Sequence, residues 1–411
     1  MQIGTQRAVD RWIGVPLCAL LSLVNRLLPP PPAPPAPRRI LIILLSEMGS
    51  LVLAYPMFRW LKERYPDASL HMLMFAKNRQ ALDLLDVIPP QNVLTLDDST
   101  FGNFARESAA MVSRLRAMRF DVTIDCELFA RISSVFSFLS NAPVRVGFHR
   151  LTQEGLYRGS FINRRVGYNP YRHLTLQLLS LAGAIESTST PVAKFPIVPP
   201  RLTPPRIVAS PQELEAMQAR LRQDHPGTAG RRLVLMYPGG GILPTRAWPP
   251  DSYRALCRAL LAEGYAIGIT GLKEDRPLAQ DLVLSCGSPA CVDLTGYTRD
   301  VRELLTLYQC AALLITNDGA PGQFSALVGI RTIVFFGPET PLLYGPLGDD
   351  AFSFFIGLPC SPCLTAYNHR RSPCDGDNQC LKRITVEEVL SKAREMLAEP
   401  PPATALHGEP A

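Results

Sequence analysis

The chain has 411 residues, 47% hydrophobic and 19% charged, which excludes a disordered polymer and a multi-span membrane protein and points to two or three globular domains. Formal charge is +6, but residues 1–39 carry Arg7, Arg11, Arg26, Arg38 and Arg39 against Asp10, a net of +4. The nearly neutral body left over excludes a nucleic-acid binder working through a basic stripe, and ten mostly scattered cysteines fit a reducing compartment better than a disulfide scaffold.

Residues 12–24 form an apolar run of 13 residues, too short for a helix to cross a hydrocarbon core of about 30 Å. No small-residue cleavage site follows, so a signal peptide fits poorly; the next residues are Pro29 to Pro32. At 100° per residue Arg7, Asp10, Arg11, Gly14, Cys18, Ser22 and Asn25 share one stripe. Trp12, Ile13, Leu17, Leu20, Leu23, Val24 and Leu27 fill the rest. This pattern predicts a helix lying in the membrane interface with its arginines toward the headgroups. A helix packed on the protein's own surface is the alternative. Pro16 kinks such a helix unless the helix starts close by. Residues 29–37, rich in proline, read as a stiff extended spacer.

Beyond the spacer, strand-like and helix-like segments alternate. Strands are expected at 40–45, 69–75, 93–96, 120–125 and 144–148, and helices at 51–64, up to 118 and up to 139. Continuous apolar runs in βαβα order mean a mostly parallel sheet covered on both faces. Residues 186–210 interrupt the pattern with a second proline-rich, linker-like stretch. Alternation then restarts. Strands are expected at 232–237, 266–270, 291–294, 312–316 and 332–336, and helices at 251–262, 274–285 and 300–309. The division is therefore a helix and linker at 1–37, a first α/β domain at 38–190 and a second at 205–398. Two doubly wound domains of this kind bind ligands at the carboxyl ends of their strands.

Three strand-to-helix loops stand out. The first is Ser46-Glu47-Met48-Gly49-Ser50. The second is Pro238-Gly239-Gly240-Gly241, continuing to Thr245-Arg246-Ala247-Trp248-Pro249. Its glycines let backbone approach a phosphate, and Arg246 offers a bidentate contact to a diphosphate. The third, Asn317-Asp318-Gly319-Ala320-Pro321-Gly322, opens a helix, with Asp318 as a cap candidate. Phe336-Gly337-Pro338-Glu339-Thr340 ends another strand on the same rim. Each loop alone equally fits an ordinary βα turn.

Taken in order, these loops resemble the motifs of the bacterial heptosyltransferase family, glycosyltransferase family nine. That family has Ser-x-x-Gly-Asp after its first strand, matched by Ser46–Ser50, and then a proline, here Pro56. Its Pro-Gly-x-Gly and basic residue before Trp-Pro are matched by Pro238–Gly241, Arg246 and Trp248-Pro249. Asn317–Pro321, Phe336–Thr340 and Cys360-Ser-Pro-Cys363 complete the series, and the resemblance spans about residues 39–397. It implies the GT-B fold, two Rossmann-like domains facing a cleft. The N-terminal domain would bind a lipopolysaccharide core or another membrane glycolipid. The C-terminal domain would bind a nucleotide-diphosphate sugar, ADP-heptose in the best-known members. By position, Arg246, Asp318, Gly319 and Ala320 would meet the diphosphate and sugar, together with the loop at Gly239, Gly240 and Gly241. Glu274 would accept from the ribose hydroxyls. The chain departs from the family at three places. Ser50 stands for the catalytic aspartate, Gly319 and Ala320 for threonine and glycine, and Gln323 for histidine. It reads as a divergent branch.

Inverting transfer needs a carboxylate to take the acceptor's proton. Glu47 is the expected base, with Asp125 and Glu127 in reserve on the same rim. His149 and His173, among basic and aromatic residues, are candidates to face a phosphorylated acceptor. Cys360, Cys363, Cys374 and Cys380, separated by two, ten and five residues, can close a tetrahedral zinc site in a Cys-rich loop at 360–380. An iron–sulfur cluster or a loop of plain thiols are the alternatives. No cofactor is expected for the chemistry itself.

The leading reading is an inverting glycosyltransferase, metal-independent and on the cytoplasmic face of the inner membrane. Its partners are a nucleotide-diphosphate sugar, a glycolipid or lipid-linked saccharide and the membrane surface, with no nucleic acid. A catalytically inactive sugar-nucleotide or glycan binder on the same fold is the second reading. A sugar-nucleotide epimerase or hydrolase is the third.

Overall fold

The computed structural model describes residues 8–45, 48–128, 130–149, 157–189, 202–241, 243–365, 371–372 and 374–398. They form two compact units, one of 8–202 with Thr365 and the other within 203–364 and 371–398.

In the first unit, β1 (Arg39–Ile43), β2 (Ser69–Phe75), β3 (Val93–Leu96), β4 (Val122–Asp125), β5 (Val144–Phe148) and β6 (Arg164–Val166) make one sheet, ordered β3-β2-β1-β4-β5-β6. The helices are α1 (Val15–Leu27), α2 (Met48–Arg64), α3 (Arg79–Leu85), α4 (Phe101–Met118), α5 (Ile132–Leu139) and α6 (Leu174–Gly183). All strand pairs are parallel, with Ile40 beside Leu70 on one side and Val122 on the other. Ile40 to Ile43 are all buried, as both faces of the sheet are covered. Leu41, Ile43, Leu73, Leu94, Phe120 and Phe136 centre the core.

The second unit repeats the plan. Strands β7 (Leu233–Tyr237), β8 (Ala266–Gly271), β9 (Cys291–Thr295), β10 (Leu313–Asn317), β11 (Thr332–Phe336) and β12 (Ala351–Phe355) are ordered β12-β11-β10-β7-β8-β9. Helices α7 (Pro211–Asp224), α8 (Pro250–Ala262), α9 (Arg276–Cys286), α10 (Val301–Gln309), α11 (Ala320–Val328), α12 (Pro341–Tyr344), α13 (Gln379–Lys382) and α14 (Val386–Ala398) complete it. Trp248 stacks on Phe335 at 4.6 Å within this core.

Each sheet therefore reverses direction once, between its first and fourth strands. The carboxyl ends of β1 and β4, and of β7 and β10, are topological switch points, where doubly wound sheets open a crevice for ligands. The expected strands fall within a residue or two of the observed ones. Some elements escaped the sequence reading: β6, α3 and β12, which lack a long apolar period, and the longer helices α6, α7 and α14.

The N-terminal helix forms, with Asp10, Cys18, Ser22 and Asn25 of its polar stripe toward the first unit and Arg11 exposed. Cys18 and Ser22 are buried, whereas Trp12, Ile13, Leu20, Leu23, Leu27 and Leu28 are all more than half exposed. A π-helical turn at Asp10–Gly14 precedes Pro16, since a proline has no N–H for the carbonyl one turn earlier. No described helix is long and apolar enough to cross a membrane. In the proline-rich segment, Ala33 to Pro37 line a cavity of about 440 Å³ with Arg64–Ala68, Val122 and Val144 of the first unit.

Candidate active site

The second unit's switch point is built from the β7 and β10 loops. Tyr237 ends β7, and the chain turns at once through three glycines. A Cβ on Gly240 would lie 2.8 Å from the Leu243 carbonyl oxygen and Pro244 Cα, and Gly241 has φ +58°. Neither position takes a side chain without strain. Asn317, the last residue of β10, holds this loop in place. Its Oδ1 accepts from the Trp248 N–H at 2.9 Å and the Tyr253 hydroxyl at 3.2 Å, and its Nδ2 donates to the Gly239 carbonyl at 2.9 Å. Asn317 is fully buried, so these bonds also satisfy an amide that would otherwise be costly to bury.

The chain then enters α11 through Gly319, whose backbone is extended (φ 162°) and which lacks a side-chain cap. Asp318 is thus not the cap its position suggested. Its carboxylate lies 3.4 Å from Arg246 Nε, and Arg246 Nη2 also binds Glu339 from the loop after β11. The arginine is therefore not an unengaged cation awaiting a diphosphate; it bridges two loops, flanked by two carboxylates. The three side chains are 13%, 8% and 2% exposed. In such a setting an ion pair is held by geometry, and loss of one partner is costly. Gly319 and Ala320 still lie beside Asp318 at the uncapped end of α11, whose first turn, Pro321 apart, has backbone N–H groups without an intrahelical partner.

Glu274 follows β8 in a 3₁₀ turn, is exposed and has no ion-pair or hydrogen-bond partner among the described residues. Its neighbour Asp275 instead packs on the glycine loop, since a Cβ on Gly239 would lie 3.0 Å from Asp275 Oδ1. Burial, with Asp275 nearby, pushes the Tyr237 phenol up to about 12. Gln323 turns into the unit, and its Nε2 donates to the Tyr344 carbonyl at 2.7 Å.

Cys360, Cys363, Cys374 and Cys380, the candidate zinc ligands, lie in and beside the loop after β12. Among the described residues no group of three or more His, Cys, Asp or Glu side chains could hold a metal ion. Cys380 is folded into the second unit's core, while Cys360 and Cys374 are exposed. Cys363 Sγ lies 3.1 Å from Ser372 Oγ, and Cys374 Sγ lies 3.4 Å from Asn378 Oδ1. Burial, with Cys363, Cys360 and Cys374 nearby, pushes the Cys380 thiol up to about 11. The loop instead braces the arginine bridge. The Cys363 and Leu364 N–H groups donate to the Pro338 carbonyl at 2.9 and 2.8 Å, beside Glu339. Asn378 Nδ2 donates to the Thr245 carbonyl at 2.8 Å, beside Arg246.

In the first unit, Glu47 lies outside the described residues. Ser50 is buried in the first turn of α2. The reserve carboxylates are committed elsewhere. Asp125, fully buried at the end of β4, pairs with Arg158, which also donates to Ser133 Oγ at 2.7 Å. Burial drives the Asp125 carboxyl above its ordinary range in spite of that partner. Glu127 accepts from the Leu45 N–H at 2.6 Å, and Asn78 Nδ2 donates to the Leu45 carbonyl at 2.8 Å. Leu45 is thereby held on both sides. His173 caps α6, its Nδ1 accepting from the Thr175 N–H at 3.3 Å, and His149 continues the β5–β6 ladder to Val166. Arg158 was missed by sequence reasoning altogether, while Asn317 and Glu339 were assigned no role and had only a local cue, their places in the two loop motifs.

The profile of glycosyltransferase family 9 (heptosyltransferase) matches residues 108–371. Lipopolysaccharide heptosyltransferase 2 of Salmonella typhimurium is 22% identical over 365 residues, covering 88% of this chain and 99% of the relative. Lipooligosaccharide heptosyltransferase 2 of Haemophilus influenzae is 25% identical over 366 residues, with 88% and 99% covered. In fold, the chain is similar to the structure of the E. coli ADP-heptose lps heptosyltransferase II, with a TM-score of 0.68 at 19% identity over 87% of this chain and 98% of that one. With the motif loops gathered at the two switch points and the profile spanning most of the chain, the protein belongs to glycosyltransferase family 9 and is a glycosyltransferase.

Proposed function

We propose that the chain transfers a heptose or closely related sugar, with inversion, from a nucleotide-diphosphate donor to a lipopolysaccharide core or another membrane glycolipid on the cytoplasmic face of the inner membrane. The observation that carries this reading is the second unit's switch point. There the glycine loop, Arg246 and the uncapped start of α11 converge where a doubly wound sheet takes its ligand. The donor class follows from the relatives, one of which is named for ADP-heptose. Backbone N–H groups and Arg246 would meet the diphosphate, and Glu274, unpartnered on the same rim, the ribose hydroxyls.

In the reaction the acceptor hydroxyl oxygen forms a bond to the anomeric carbon as the bond to the diphosphate oxygen breaks. The nucleotide leaves with the electron pair, and the acceptor's proton passes to a carboxylate. Negative charge grows on the leaving diphosphate, so fixed dipoles and a guanidinium there lower the barrier. Glu47 is the base in this reading, because Asp125 and Glu127 are engaged and Ser50 has no basic group at neutral pH. The chemistry calls for no cofactor.

A second reading, a sugar-nucleotide binder without turnover, is favoured by one observation: Ser50 stands where the family has its aspartate. A radiolabelled transfer assay separates the two, using a panel of nucleotide-heptose donors and extracted core glycolipid as acceptor. Transfer from one donor supports the first. Donor-dependent thermal stabilisation with no transfer to any acceptor supports the second.

A further inference from the structure

Residues 10–28 carry an amphipathic helix mounted with its polar side toward the protein. Its inner seam is keyed to the first unit. Asp10 pairs with Arg131 at 2.6 Å, and Ser22 Oγ accepts from the Ser160 N–H at 2.8 Å. Arg145 donates to Asn25 Oδ1 at 2.6 Å. Cys18 packs with Val135, Phe161 and Ile162. Arg145 is itself buried, and burial lowers its guanidinium to about 10. The helix thus covers a cation that the sheet alone would leave open.

What remains outside is an apolar ridge of Trp12, Ile13, Leu20, Leu23, Leu27 and Leu28. Scattered exposed leucines need no explanation, but six large side chains on one helical face do. Two exposed arginines flank the ridge. Arg11 lies 5.8 Å from the Trp12 ring centre, and Arg26 sits near the other end. Neither makes an ion pair among the described residues. The only carboxylate of the segment, Asp10, is spent inward on Arg131.

We infer that this ridge is a docking surface for an anionic lipid bilayer. Charge decides between a bilayer and a second copy of the chain. Pairing two such ridges about a two-fold axis sets arginine against arginine or leaves them idle, with no acid on the ridge to compensate. An anionic headgroup layer meets both arginines while the leucines and Trp12 enter the acyl boundary. The inference stands apart from the donor and acceptor proposed above, because it concerns a face remote from the nucleotide crevice loops in sequence and is read by lipid alone.

The test uses full-length protein and sedimentation with sonicated vesicles. Truncation is unsuitable, because removing the helix would bare Arg145 and the Cys18 pocket. Wild type should bind phosphatidylglycerol–phosphatidylcholine vesicles, and pure phosphatidylcholine at least about tenfold more weakly. The pair Leu20→Glu with Leu23→Glu, both exposed, should lower binding to the anionic vesicles by at least about tenfold. Melting temperature and ADP affinity should stay unchanged. Arg11→Gln with Arg26→Gln should erase the preference for anionic lipid. Failure of the wild type to bind, or unchanged binding of the leucine pair, overturns the inference. So does a concentration-dependent dimer that the leucine pair dissolves, which would assign the ridge to a second copy. ADP binding serves as the separate readout for the proposed activity.

Discussion

The two units have the same strand order and the same switch point, yet they fill it in opposite ways. In the first, Arg158 of the chain itself occupies the space beside the β4 end, sealed against Asp125 and Ser133 with 2% exposure. In the second, the equivalent place holds three glycines and the uncapped start of α11, with Arg246 bridging Asp318 and Glu339 at its side. One crevice is packed with its own ions; the other keeps backbone donors available. A sheet topology fixes where a site can lie, and the side chains at the strand ends decide whether it binds or braces.

The sharpest test of that division lies in the chemistry. Glu47→Gln keeps the size and removes the base, so turnover should fall by about 10²–10⁴-fold with donor affinity nearly unchanged. Steady-state kinetics and calorimetry check it, and an unaltered turnover number would sink the assignment. Next, Arg158→Ala strands Asp125 in a dry site and should cost about 3–5 kcal/mol. Chemical denaturation should show that loss, and pairing Arg158→Met with Asp125→Asn should recover most of it. If Arg158→Ala is neutral, the first crevice is not held by its ion pair. In the second unit, Arg246→Ala should weaken ADP binding by about 10–100-fold but adenosine much less, since it removes a charge-assisted contact to phosphate. Glu339→Gln should instead tighten ADP by about three- to tenfold, by removing one of the two carboxylates beside the guanidinium. Weaker ADP binding in Glu339→Gln would mean that Glu339 aims the arginine rather than competing for it.

The smallest effect is expected where the chain enters the second unit. Ser210 and Glu213 form a reciprocal cap at the start of α7, and Arg302 grips Glu213 at 2.8 Å. Hydrogen bonds from Arg302, with the cap, hold the Glu213 carboxyl down at about 2. A depressed carboxyl stabilises the fold above its unfolded value near 4.5 and loses that contribution as pH falls toward 2. Wild type and Glu213→Gln should therefore differ in melting temperature at pH 7 and converge at about pH 2. A constant gap across that range would assign the effect to packing instead.

Much of this was legible in the sequence because it is periodic or local. Apolar runs such as 40–43 and 332–336 announce buried parallel strands, and the three strand-to-helix loops announce the rim. What could not be read is long-range pairing. Nothing near Asp125 in sequence points to Arg158, thirty-three residues on, and nothing near Asn317 points to Gly239. The arginine bridge escaped for the same reason: Arg246 and Glu339 are brought together only by the order of β7, β10 and β11. The N-terminal helix shows a different limit. A helical wheel separates two faces but does not say which one meets the protein. Cys18 and Ser22 are small enough to let α1 approach α5 and the 157–162 loop closely, and size decided the outcome over polarity.

The mounting of that helix has a directional consequence. Asp10 meets Arg131, just before α5 at the carboxyl end of the sheet, whereas Asn25 meets Arg145, near the start of β5. The helix axis therefore runs alongside the strands, opposite to their sense. Laid flat on a surface, it would turn the strands of the first unit parallel to that surface. The edge of the sheet at the ends of β1 and β4 would then face sideways, along the plane. On the function proposed above, a saccharide standing close to its lipid anchor would meet that edge by lateral diffusion, whereas one projecting far outward would pass over it.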